Sequence, residues 1–336
     1  MIPRDLFEKV RRIEISTSRL VTDLFAGQYH SVFKGRGIEF DEVREYQWGD
    51  DVRMIDWNVT ARTGIAHIKK FVEEREQTVM LIVDASRSCQ FGTVHELKSK
   101  LAAEMAAVLA LSAIRNNDKV GLMIFTDQVE KFIPPRKGLR HVLRVIREVL
   151  YFKAKGQQTD IIKPLEFLSK VTTRKTVAFI ISDFFVSTPK DGSSFNKKSD
   201  LLTSVQIIEP VLQENGGRDT DNHSASLLLR KSVKHALAIA NKRLDLIAIT
   251  LNDPKEFELP DCSLLHLEDP ETGEMFLVDS SSETVRQQYK ENSLNRLRKR
   301  DALFRSVGVD HVDVSTAEPY ANALVKFFLS RRRRLR

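Results

Sequence analysis

A carboxylate followed at two-residue steps by two hydroxyls, Asp84-Ala85-Ser86-Arg87-Ser88, closes a continuous apolar run in the middle of the chain. Ser86 and Ser88 lie two apart on one turn, so both hydroxyls can aim at a single point while Asp84 supplies charge. Hard oxygens of this kind suit magnesium first, with manganese or calcium as substitutes, and not zinc. Three oxygens are too few for an octahedral ion, so a metal here requires donors from other strand ends. Two are at hand: Asp183, in Ser182-Asp183-Phe184-Phe185, and Thr159, in Lys155-Gly156-Gln157-Gln158-Thr159-Asp160. The competing reading is that Asp84, Ser86 and Ser88 cap a helix and that Asp183 merely ends a strand, since Ser and Asp are ordinary caps. Arg87 sets a positive charge inside the motif, which either repels a cation or assists an acidic partner.

Four runs of aliphatic and β-branched residues, 78–84, 119–126, 175–182 and 244–251, are too apolar to be half exposed and read as buried parallel strands. Helical patterns separate them, the strongest at 95–115, with others at 138–152 and 161–171. This alternation predicts an α/β fold with a doubly wound, mostly parallel sheet, Rossmann-like in its winding, and right-handed crossovers. In such a sheet ligands gather in the crevice beyond the carboxyl ends of the strands, where Asp84 and Asp183 would stand. Before this body, residues 1–76 read as an N-terminal helix (4–25) and a β-rich extension with short alternating segments at 37–46 and 66–74. Residues 77–336 make the main domain. A polar stretch at 187–226 reads as a mostly flexible insertion, with only 205–212 ordered. A hairpin is expected at 263–279, then a charged helix at 283–306, a strand at 309–314 and a helix at 318–330.

With 336 residues, 42% of them hydrophobic, the chain can bury one large domain with additions. No stretch is apolar enough to span a bilayer and the start mixes acids with bases, so no transmembrane segment or signal peptide is expected and the protein reads as cytoplasmic. Cys89 and Cys262, far apart and in no paired spacing, read as reduced thiols of minor structural weight. Of the net charge of +7, five units come from Arg331, Arg332, Arg333, Arg334 and Arg336. This tail reads as a solubilising, disordered end more readily than as a nucleic-acid or lipid contact, because no aromatic residues interleave the arginines. Tyr320, Phe327 and Phe328 fall at the spacing of a helix's inner face.

Asp84, Ser86, Ser88, Thr159 and Asp183, in that order on a doubly wound sheet, resemble the metal-ion-dependent adhesion site of von Willebrand factor A domains. The resemblance implies Ser86, Ser88 and Thr159 facing the metal, Asp84 and Asp183 contributing directly or through water, and one position left for an acidic side chain of a partner. A second resemblance covers most of the chain. Gly27-Gln28-Tyr29-His30-Ser31, Phe33-Lys34-Gly35-Arg36-Gly37-Ile38-Glu39-Phe40, the segment 43–53, Ile55-Asp56-Trp57-Asn58 and Ala61-Arg62 are similar to the signature of the bacterial domain of unknown function 58 family. Asp253-Pro254-Lys255-Glu256, Glu258-Leu259-Pro260 and Asp269-Pro270-Glu271-Thr272-Gly273 fit its C-terminal portion. That family implies a von Willebrand factor A-like domain acting as an adaptor for MoxR-type AAA+ ATPases, with no established activity. Read without the family, Arg44, Asp50, Asp51, Arg53, Asp56 and Arg62 could form an ion-pair lattice around Trp48 and Trp57.

Function therefore reads as non-enzymatic: a metal-dependent protein-interaction module. Two alternatives stay open, a metal-dependent hydrolase of phosphoryl compounds built on Asp84 and Asp183, and a nucleic-acid or membrane-surface binder using Arg296, Arg298, Lys299, Arg300 and the arginine tail. Against the hydrolase, the sequence has no Gly-rich phosphate loop, no HExxH, no Gly-x-Ser-x-Gly and no histidine near the candidate ligands. His67, His95 and His141 read as surface or turn residues.

Overall fold

The structure is a computed structural model, and it describes residues 39–72, 76–93, 97–156, 158–172, 176–184, 220–268 and 275–334. The expected helix at 4–25, the motif residues before 39, most of the polar insertion with its segment 205–212, and His95 lie outside these residues.

A six-stranded sheet forms the body, in the order β10-β7-β6-β3-β4-β5. The strands are β3 (Thr78–Asp84), β4 (Lys119–Phe125), β5 (Val129–Arg136), β6 (Thr176–Ser182), β7 (Asp245–Asn252) and β10 (Asp310–Ser315). All neighbours run parallel except β4 and β5. The continuous apolar character of β3 follows from its having two buried faces. Val79, Leu81 and Val83 enter one core while Met80 and Ile82 enter another, because successive side chains of a strand point to opposite faces. The first core is closed by α2 (Lys98–Arg115), α3 (Leu139–Tyr151) and α7 (Tyr320–Arg334), the second by α4 (Ile162–Val171), α5 (Thr220–Arg243) and α6 (Glu283–Val307). The chain is thus the doubly wound α/β fold that the alternating pattern predicts.

α2 crosses the centre of the first layer and buries thirteen of its side chains, six of them alanines. Small residues on nearly every side let the helix sit down on the sheet and still accept α3 alongside.

β1 (Glu39–Glu45) and β2 (His67–Val72) form a separate antiparallel pair, joined through α1 (Trp57–Thr63). β8 (Leu264–Glu268) and β9 (Met275–Asp279) form the expected hairpin.

Four expectations are corrected. First, β5 was not anticipated: its pattern is half exposed and carries Pro134 and Pro135, which is tolerated because it is an edge strand. Second, the insertion ends earlier than expected, since 220–226 belong to α5; the polar sequence of its first turns hides the helical period. Third, the arginine run is no disordered end. α7 continues to Arg334, and Arg331, only 8% exposed, pairs with Asp245 and Asp310, while Arg334 lies 2.9 Å from Asp310. The carboxylates at the starts of β7 and β10 extend the helix past its apolar face; Phe327 and Phe328 are buried as the spacing predicts. Fourth, among the described residues no lattice surrounds the tryptophans. Arg44 pairs with Asp50 at 2.7 Å, Asp51 caps a short turn through Arg53 N, and Asp56 caps α1 and faces Lys69 at 3.4 Å. Trp48 and Trp57 stand in solvent, the second 67% exposed. His141, read as a surface or turn residue, lies half-buried on α3 with Nε2 2.9 Å from the Val120 carbonyl.

Candidate metal site

The winding direction of the sheet reverses between β3 and β6: from β3 the chain moves outward to β4 and β5, then returns to the other side of β3 as β6. Beyond the carboxyl ends of these two strands a crevice forms, and polar groups there rest on an apolar base. Asp84 is the last residue of β3 and Asp183 the first after β6; both are 2% exposed.

Asp84 is held from two sides. Its Oδ1 accepts from Ser86 N at 2.9 Å, which folds the motif back on itself, and its Oδ2 accepts from Ser182 Oγ at 2.5 Å. Ser86 then stands at the head of a single short turn, Arg87–Gln90, yet its hydroxyl makes no capping hydrogen bond. It meets the Ser88 hydroxyl at 3.0 Å instead. The capping alternative therefore fails at Ser86: the two hydroxyls converge on each other, buried, beside a buried carboxylate.

Asp183 is aimed by strain. Phe184 adopts φ 57°, a left-handed conformation that costs a bulky residue roughly 1–2 kcal/mol. The ring is kept there by an edge-on contact with Phe304, centroids 5.0 Å apart, and by Phe184 N donating to Ser182 Oγ at 2.9 Å.

Thr159 comes from the loop between α3 and α4. Its loop is tied down by the Glu130 carboxylate, which accepts from Lys155 N, from Gly156 N at 2.9 Å and from Thr126 Oγ1 at 2.7 Å, while Asp160 N donates to Thr126 O at 3.0 Å. Only glycine fits at 156, because a Cβ there would lie 2.1 Å from Asp127 Oδ1 and 2.3 Å from Thr126 Oγ1. Thr126 directly follows Phe125, the register partner of Asp84, so Thr159 sits over the neighbouring strand end. Its hydroxyl is buried with no hydrogen-bond partner among the described residues. A buried polar atom without a partner costs about 1–3 kcal/mol and calls for an explanation.

Three residues of the site escape sequence reasoning. Cys89, expected to be structurally minor, is fully buried, and its sulfur and the Asp84 and Asp183 carboxylates all lie within 4.8 Å of one another. Lys98 is fully buried with Nζ 3.3 Å from Asp183 Oδ2 and in contact with the Glu256 carboxylate. Glu256 in turn accepts from Asp253 N at 2.9 Å in a capping box. Asp253 collects Thr93 N at 2.9 Å and Thr316 Oγ1 at 2.7 Å, so the loops after β3, β7 and β10 are fastened to one carboxylate. One signal was available for Lys98: it is the first residue of a long helix, where the macrodipole disfavours a cation. Arg87 points away to Glu268 at 2.7 Å.

The electrostatics follow from burial. Asp84 is pushed up to about 7, first by burial and then by the Asp183 charge, against the hydrogen bonds from Ser182 and Ser86. Burial and the same two carboxylates push the Cys89 thiol up. Burial alone would lower Lys98, but Asp183 and Glu256 outweigh it and raise the ammonium. Two carboxylates, Asp183 and Glu256, face the Lys98 ammonium, and Asp84 adds a third carboxyl group beside Asp183. The hard oxygens of Asp84, Ser86, Ser88 and Asp183, with the Thr159 hydroxyl that has no hydrogen-bond partner among the described residues, fit a divalent cation.

Residues 42–216 and 212–299 match the family described as protein of unknown function DUF58. The chain belongs to this family. Among curated relatives of this DUF58 protein, the uncharacterized protein Rv1480 of Mycobacterium tuberculosis is 26% identical over 329 residues, covering 96% of this chain and 89% of that one, and Mb1516 of Mycobacterium bovis matches to the same extent. Similar solved chains include the conserved hypothetical protein BatB from Bacteroides thetaiotaomicron (13% identity, 76% of this chain and 99% of that one, TM-score 0.40). The PilB minor pilin from Streptococcus sanguinis (12%, 81% and 64%, 0.40) and the SpRpn10 VWA domain (9%, 75% and 93%, 0.33) are others. No helix among the described residues is long and apolar enough to cross a membrane.

Proposed function

We propose that this DUF58 protein is a non-enzymatic interaction module whose partner completes the coordination of a divalent ion. Magnesium is the first candidate, with manganese or calcium able to replace it. Ser86, Ser88 and Thr159 would face the ion, with Asp84 and Asp183 holding it directly or through water. Bound there, the ion would supply a Lewis-acidic position open to a carboxylate of the partner. A MoxR-type AAA+ ATPase presenting an acidic side chain is the partner class implied by the family resemblance, and an adaptor the corresponding role. The observation that carries the reading is the meeting of the buried Ser86 and Ser88 hydroxyls, 3.0 Å apart, on the turn that Asp84 holds, with the Asp84 and Asp183 carboxylates clustered at the neighbouring strand ends.

Arg87 does not oppose this reading, because its charge is taken up by Glu268. The hydrolase alternative gains nothing from the site: among the described residues no histidine joins the Asp84–Asp183 group as a base. The nucleic-acid alternative loses Arg331 and Arg334 to internal ion pairs.

Calorimetric titration of the full chain with magnesium and manganese, beside a Ser86→Ala/Ser88→Ala double variant, tests the site. Saturable binding to the wild type that disappears in the variant is expected; equal binding by both would place the metal elsewhere. A partner captured in magnesium should release in chelator, whereas steep loss with salt alone would indicate polyanion binding through counterion release.

A further inference from the structure

The feature that the metal reading leaves unused is the cation already buried at its edge. We infer that Lys98 is a resident counter-cation of this site, holding Asp183 in the metal-free protein and competing with the incoming ion for that carboxylate. The inference rests on the metal reading above and deepens it.

Lys98 is fully buried at the first residue of α2, where neither solvent nor the helix dipole favours an ammonium. Its presence is explained by its partners, since a buried charge persists only when paired. Those partners differ in kind. Asp183, at 3.3 Å, is also a candidate metal ligand. Glu256 is not: it belongs to the loop after β7 and is anchored independently by the capping box with Asp253. Asp253 is itself fixed by Thr93 and Thr316. Lys98 therefore keeps a rigid partner when Asp183 turns to an ion, and it keeps Asp183 paired when no ion is bound. The arrangement leaves no charge unpaired in either condition, so the fold does not depend on the metal. Its cost falls on affinity, because a fixed positive charge repels a divalent cation sharing its carboxylate.

The test is calorimetric titration of the full chain with manganese and magnesium, at constant pH and ionic strength, in the wild type and in Lys98→Gln, Lys98→Arg and Glu256→Gln. Lys98→Gln should bind metal about tenfold or more tightly, since a repelling charge has been removed, and Lys98→Arg should stay near the wild type. Glu256→Gln should bind more weakly, because its amide can still cap Asp253 while the ammonium is left to Asp183. Melting in chelator and in manganese gives an independent reading: Lys98→Gln should gain more stability from manganese than the wild type gains. Unchanged or weaker binding by Lys98→Gln overturns the inference. If that variant folds in neither condition, Glu256→Gln decides, and wild-type or tighter binding by it overturns the inference equally. A wild type that binds neither ion overturns the metal reading and this inference together, whereas a binding wild type with unmoved variants overturns this inference alone.

Discussion

At the scale of the residue, Asp84 and Thr159 carry opposite lessons about buried polarity. Asp84 is raised to about 7 by burial and by Asp183, so the folded protein binds a proton more tightly than the unfolded chain does. The contribution to stability from this group is complete below the ordinary carboxylate range and is lost as pH rises through 7. A metal displaces that proton, so affinity for manganese should climb as pH rises through about 7, with proton release visible as a dependence of the calorimetric heat on buffer ionisation. Asp84→Asn should abolish both the binding and the released proton; proton release surviving in that variant would assign the titration to another group. Thr159 offers a separation of stability from function. Its hydroxyl is buried without a hydrogen-bond partner among the described residues, so Thr159→Val should leave denaturant stability unchanged or raise it by about 1 kcal/mol while weakening metal binding. A variant that lost stability and kept its affinity would show the hydroxyl to be structural.

At the scale of the element, the legible parts were those whose burial is uniform. β3, β6 and β7 are covered on both faces, so their sequences are uninterrupted apolar runs, and the strand ends bearing Asp84 and Asp183 could be placed from pattern alone. β5 and the first turns of α5 were not legible, because a half-exposed edge strand and a run of polar residues carry no strong apolar period. The site divided in the same way. Asp84, Ser86 and Ser88 are local in sequence, and Cys89 adjoins them but is of a type that the hard-oxygen pattern does not single out, whereas Lys98 and Glu256 reach the site only when loops meet at the sheet's carboxyl edge. α7 shows what charge adds to an element: its last turn is held by Arg331 between Asp245 and Asp310. Arg331→Ala takes the buried guanidinium from Asp245 and leaves Asp310 to Arg334 alone, and should cost about 1–3 kcal/mol in urea unfolding. An unchanged midpoint would return the arginines to the role of a solubilising tail.

At the scale of the whole molecule, the site lies in the doubly wound body while both tryptophans of the chain, Trp48 and Trp57, project from the β1–α1–β2 extension into solvent. Their fluorescence therefore reports on the extension alone. Emission should be water-like and open to iodide quenching, and it should stay unchanged when metal is added; a shift on metal binding would reveal a coupling between the two parts that the site's own bonds do not provide. β5 has a consequence at this scale as well. Pro134 and Pro135 carry no N–H and stand together at the break in register between Val120 and Leu122, two residues opposite one. Prolines and a bulge on an edge strand interrupt the ladder that a foreign strand would have to join, so this border is a poor template for pairing with other copies of the chain.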